Sequence, residues 1–83
     1  MLAPNELRYL RRIKNVRQQQ LADEISKATG VHVNQRTISS WELGVTNPKP
    51  FQYQFLEDFF HVPKEEIFRE AFEYRDQRHM VNK

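Results

Sequence analysis

The sequence predicts an all-α protein, a small bundle of five helices, and three observations predict it. The apolar residues recur mainly at three- or four-residue spacing, the period of one helix face. The breakers stand between those stretches, with Gly30 and Gly44 as the two glycines and prolines at 48, 50 and 63. The chain has 83 residues and no cysteine, so one core must form by packing alone, without disulfides or thiolate metal sites. Six Phe, three Tyr and one Trp supply bulk for that core.

Pro4 and Asn5 open the first helix, in which Leu7, Leu10 and Ile13 face inward while Arg8 and Arg12 project elsewhere. Asn15 and Val16 break it. The second runs from Gln18 to Gly30, with Leu21, Ala22, Ile25 and Ala28 on its apolar face and Gln19, Gln20, Asp23, Glu24 and Lys27 outside. Asn34 is a good N-cap for a third helix, Gln35 to Leu43, which Gly44 ends. At about 100° per residue, Ile38 and Trp41 point inward, and Gln35, Arg36, Ser39 and Ser40 spread over the opposite arc.

Residues 44–50, Gly-Val-Thr-Asn-Pro-Lys-Pro, make a loop, since two prolines cannot continue a helix. A fourth helix spans Pro50 or Phe51 to Phe60. Phe51, Tyr53, Phe55, Leu56, Phe59 and Phe60 sweep roughly 200° of its circumference, twice the stripe of a surface helix, so two sides of it need cover. Pro63 opens a fifth helix carrying Ile67, Phe68, Ala71, Phe72 and Tyr74 on one face. The expected division is a domain over residues 1–75 and a frayed tail over 76–83.

Charge and motif content narrow the function. A mean hydropathy of −0.82 and no long apolar run describe a soluble chain that no membrane holds, and the start has no secretory pattern, so a reducing cytoplasmic location is expected. Residues 1–50 carry eight Lys and Arg against four acids, a net +4, and residues 51–83 carry five against seven, a net −2. A basic part of this kind suits a polyanion. No enzyme is expected. His32, His61 and His79 are too scattered to hold a metal, Ser39 and Ser40 have no neighbouring base, and no glycine-rich phosphate loop exists, so neither cofactor nor small ligand is implied.

The second and third helices, joined by a short turn, form the arrangement that lays one helix in the major groove of DNA. Gln35 and Arg36 suit base reading because Gln can pair twice with adenine and Arg twice with guanine; Ser39 or Ser40 adds one hydrogen bond and is short enough to let the helix enter. A Gln-Arg-Thr run at a helix start also makes an ordinary solvated face.

The combination of Gln18-Gln19-Gln20-Leu21-Ala22, Thr37-Ile38-Ser39-Ser40-Trp41-Glu42-Leu43-Gly44 and Asn47-Pro48, in that order, resembles the Cro/repressor (XRE-type) helix-turn-helix family over roughly residues 5–70. The resemblance implies a five-helix bundle of the lambda-repressor-like type that binds double-stranded DNA as a symmetric dimer, most often a repressor of bacterial or phage origin. It implies that Gln18 contacts a phosphate, that Gln35, Arg36 and Ser40 meet base edges, and that Asn34, Thr37 and the loop residues Thr46, Asn47 and Lys49 touch the DNA backbone. It also pairs Arg11 with Glu42, locking the first helix to the third.

The sequence departs from that pattern. Ala22 and Ile38 stand sixteen residues apart, six more than the family's usual spacing, which lengthens the second helix by a turn and the connection Gly30-Val31-His32-Val33 by two residues. Arg17 stands where the family prefers a Ser or Thr cap, which adds a phosphate-contact candidate. Phe51, Phe55 and Phe59 exceed what the common core needs, so these residues and Phe72 are candidates for a homodimer surface. The alternative is an antitoxin-like or adaptor module that keeps the fold and binds another protein.

Overall fold

Side-chain caps and left-handed residues mark several of the helix ends in this fold. The structure, a computed structural model, describes residues 5–69, and these form α1 (Leu7–Ile13), α2 (Gln18–Thr29), α3 (Gln35–Glu42), α4 (Pro50–Phe60) and α5 (Lys64–Ile67), with no strand among them. Asn5 accepts from the Leu7 N–H at 3.1 Å and donates through Nδ2 to the Trp41 carbonyl at 2.6 Å, so one side chain caps α1 and ties it to α3. The Glu6 N–H donates to the Ile67 carbonyl at 3.0 Å, joining the two ends of the described chain.

Leu7, Leu21, Ile25, Ile38, Leu56 and Ile67 are fully buried, and Val16, Ala22, Val33, Trp41 and Phe68 complete the core. Around this core α2 packs on α3 and α4, α1 on α3, and α4 on α5. Burying a Leu, Ile or Phe side chain contributes about 1.5–3 kcal/mol, so this cluster supplies the drive to fold.

Two inward assignments fail. Ile13 is 64% exposed: three-residue steps rotate about 60° backward around a helix, so by Ile13 the stripe has left the core side. Asn15, in the left-handed region at φ 60°, turns the chain so that Val16 fills the core instead. Ala28 is exposed because the added last turn of α2 runs past the packed region, and Val33 closes the core there.

Gly30 has φ 75° and ends α2, its N–H donating to the Ser26 carbonyl at 2.9 Å. Ser26 and Thr29 hold the lengthened connection. Ser26 Oγ accepts from the Val33 N–H at 2.8 Å and lies within donating distance of the Ala22 and Val33 carbonyls, at 2.9 and 3.1 Å. Thr29 Oγ1 donates to the Ile25 carbonyl at 2.7 Å and accepts from the Val31 N–H at 3.2 Å. The two extra residues are thus pinned at two points before α3 begins.

The continuous fifth helix expected from Pro63 to Tyr74 is interrupted. Phe68 leaves helical geometry at φ −116°, ψ 52°, and its ring, 2% exposed, meets Tyr53 edge to face with centroids 5.2 Å apart. Packing that ring into the core bends the backbone there. Ala71, Phe72, Tyr74 and the tail 76–83 lie outside the described residues. No described helix is long and apolar enough to cross a membrane.

Candidate nucleic-acid interface

Asn34 starts the candidate reading helix in the way its chemistry dictates. Its Oδ1 accepts from the Thr37 N–H at 3.0 Å and from Thr37 Oγ1 at 3.2 Å, which satisfies one of the free donors of the first turn. With that end fixed, Ile38, Trp41 and Glu42 turn into the protein and Gln35 and Arg36 turn to solvent. Gln18, Gln19, Asn34, Gln35, Arg36 and Ser39 line an open hollow of about 450 Å³ where α2 meets α3.

The structure thus gathers Gln18, Asn34, Gln35, Arg36 and Ser39 and adds Gln19, whose Nε2 donates to Asp23 Oδ1 at 3.0 Å. The only advance sign of Gln19 was its place in the triple-glutamine run. Ser40 and Thr37 are half-buried and stand outside that lining; the Ser40 carbonyl accepts from the Val45 N–H at 2.9 Å, folding the loop after Gly44 against the end of α3. Arg17 occupies the N-cap position of α2, exposed and without a side-chain cap bond, so its guanidinium is not spent on the helix end. Thr46, Asn47 and Lys49 are exposed around the buried Pro48, and the Lys49 N–H donates to Gln52 Oε1 at 2.8 Å, fixing where the loop joins α4.

The last residue of α3 turns a carboxylate inward. Glu42, 5% exposed, accepts from Arg11 Nε at 2.7 Å through Oε2 and from Gln18 Nε2 at 2.9 Å through Oε1, while Arg11 Nη1 donates to the Val16 carbonyl at 2.8 Å. One carboxylate therefore ties α1, α2 and α3 together. Gln35 Nε2 in turn donates to Gln18 Oε1 at 3.2 Å.

A family model described as Helix-turn-helix matches residues 7–67, most of the chain, and its span runs from the first core residue of α1 to the last of α5. The chain belongs to the Cro/C1/XRE-type helix-turn-helix family. No curated protein and no solved structure matches it. As a helix-turn-helix protein it is a DNA-binding regulator, with α2 and α3 as the two helices of the motif. Among the described residues no group of three His, Asp or Glu side chains could hold a metal ion.

Proposed function

We propose that this helix-turn-helix protein is a sequence-specific transcriptional repressor that binds an inverted-repeat operator as a homodimer, laying α3 in the major groove. The observation that carries this reading is the hollow at the α2–α3 junction, whose six lining side chains are all polar, none acidic, and include Gln35 and Arg36 on the exposed face of α3. A helix with its side chains is about 10–12 Å across and the major groove is about 12 Å wide, so one helix such as α3 fits the groove.

In this reading Gln35 and Arg36 take two hydrogen bonds each to base edges, and Ser39 and Ser40 add single ones. Arg17, Gln18, Asn34, Thr37, Thr46, Asn47 and Lys49 hold phosphates and set the register without reading sequence. The second reading head comes from a second copy, with Phe51, Phe55 and Phe59 on the contact side. Binding to chromosomal or phage DNA places the protein in the cytoplasm of a bacterium.

Selection of binding sites from random double-stranded DNA tests the proposal. The expected product is a palindrome whose half-site centres lie about 34–36 Å apart, one helical turn. Absence of enrichment, with a binding response that is flat in salt, sinks it and leaves a module that binds another protein, because phosphate contacts give about 0.9 decade of affinity per decade of salt for each charge neutralised.

A further inference from the structure

The carboxylate of Glu42 is the fixed end of a hydrogen-bond chain that reaches the surface of α3. Gln18 Nε2 donates to its Oε1 at 2.9 Å, and Gln35 Nε2 donates to Gln18 Oε1 at 3.2 Å. A carboxylate accepts and never donates, whereas an amide has one donating end and one accepting end. Direction therefore propagates outward. Gln18 must turn its NH2 to Glu42, which leaves its carbonyl facing Gln35, and Gln35 must turn its own NH2 inward to meet that carbonyl.

We infer that Glu42 is a positioning residue for base recognition, setting the direction of both amides so that Gln35 is oriented to read adenine. With one N–H spent on Gln18, Gln35 offers its Oε1 and its second N–H side by side. That acceptor and donor match adenine N6–H and N7 in the major groove. The inference rests on the reading of Gln35 as a base contact. Arg11 anchors the other carboxylate oxygen at 2.7 Å, so the whole chain starts from a group that can neither rotate away nor reverse its polarity.

Glu42→Gln reverses the chain. Arg11 has only donors, so the new amide at position 42 must give it the oxygen and turn NH2 to Gln18. Gln18 then turns its carbonyl to position 42 and its NH2 to Gln35, which accepts through Oε1 and offers donors outward. Such a face suits guanine O6 and N7 or thymine O4 in place of adenine.

Nuclear magnetic resonance of the free protein reads the direction through trans-hydrogen-bond couplings. The native chain is expected to couple Gln18 Nε2 to the Glu42 carboxylate carbon; E42Q is expected to lose that coupling and gain one from the position-42 Nε2 to the Gln18 side-chain carbonyl. The same direction in both proteins overturns the inference. On the selected DNA, the base pair read by Gln35 is the one whose preference vanishes in Gln35→Ala. There the native protein should prefer adenine about tenfold or more, and E42Q should lose that preference. Gln18→Met keeps the Arg11–Glu42 pair and cuts the chain, so it should lose the preference too and decides the matter if E42Q does not fold. An adenine preference undiminished in Gln18→Met, or a native preference for another base, overturns the assignment. If no DNA site is selected, the DNA-reading proposal is what fails, and the couplings still decide the direction of the chain.

Discussion

Glu42 sits 5% exposed with two donors aimed at it, so its removal leaves the Arg11 guanidinium, itself 12% exposed, without its charge partner inside the fold. Breaking a buried pair from one side costs about 3–5 kcal/mol, against about 0–1 kcal/mol for a surface pair. Glu42→Ala should therefore lower the unfolding free energy in urea by about 3 kcal/mol; a loss under about 1 kcal/mol would mean that water reaches the pair. Arg36 and Lys49 are both exposed cations, and they should behave differently. Arg36→Ala should cost roughly 1–3 kcal/mol at one base pair and relax specificity there, whereas Lys49→Ala should weaken all sequences alike and lower the salt slope by about 1. Equal losses on specific and random DNA for both variants would make Arg36 a phosphate contact. Residue types on the outer face of α3 were legible in the sequence, because a helical wheel needs only spacing. The bonds of Gln18 to Glu42 and Gln35 were not, because they join residues 24 and 17 positions apart whose approach depends on how α2 and α3 cross.

At the scale of elements, the lengthened connection between α2 and α3 is held by the hydroxyls of Ser26 and Thr29 together with the buried Val33. Ser26 Oγ takes the Val33 N–H, so Ser26→Ala strands a half-buried backbone donor and should cost about 1–2 kcal/mol. It should also weaken specific DNA binding more than non-specific binding, since the position of α3 relative to α2 is what loosens; equal weakening would show that the clamp only stabilises. Gly30 has open space around a would-be Cβ, yet its φ of 75° is costly for any L side chain. Gly30→Ala should lower stability by about 1 kcal/mol through backbone strain alone, and thermal unfolding would detect it as a shift of several degrees. Helix ends at Gly30, Asn34 and Pro50 were readable because capping and ring closure act within a few residues. The break at Phe68 was not readable: local periodicity favours a continuing helix, and only the long-range contact of Phe68 with Tyr53 overrides it.

For the molecule as a whole, the division into a +4 part over residues 1–50 and a −2 part over 51–83 separates the reading helices from the aromatic face of α4. On that face Phe51 is 42% exposed, while Phe55 and Phe59 stack at 5.3 Å and remain half-buried, with Lys14 Nζ 4.9 Å from the Phe59 ring. An exposed phenylalanine beside a stacked pair is a natural anchor for a second copy, because large aromatics give the most binding per residue at interfaces. Phe51→Glu tests the dimer with little risk to the monomer. The position is solvent-exposed and lies in the first turn of α4, where a negative charge is favoured by the helix dipole. Sedimentation should show the native chain as a dimer at tens of micromolar and the variant as a monomer. Affinity for a full palindrome should then fall about 10²-fold or more, since the second half-site no longer binds as a linked event, while affinity for an isolated half-site stays unchanged. A native chain that sediments as a monomer would refute the dimer, and a variant that stays dimeric and holds the palindrome as tightly as before would move the symmetry axis off α4.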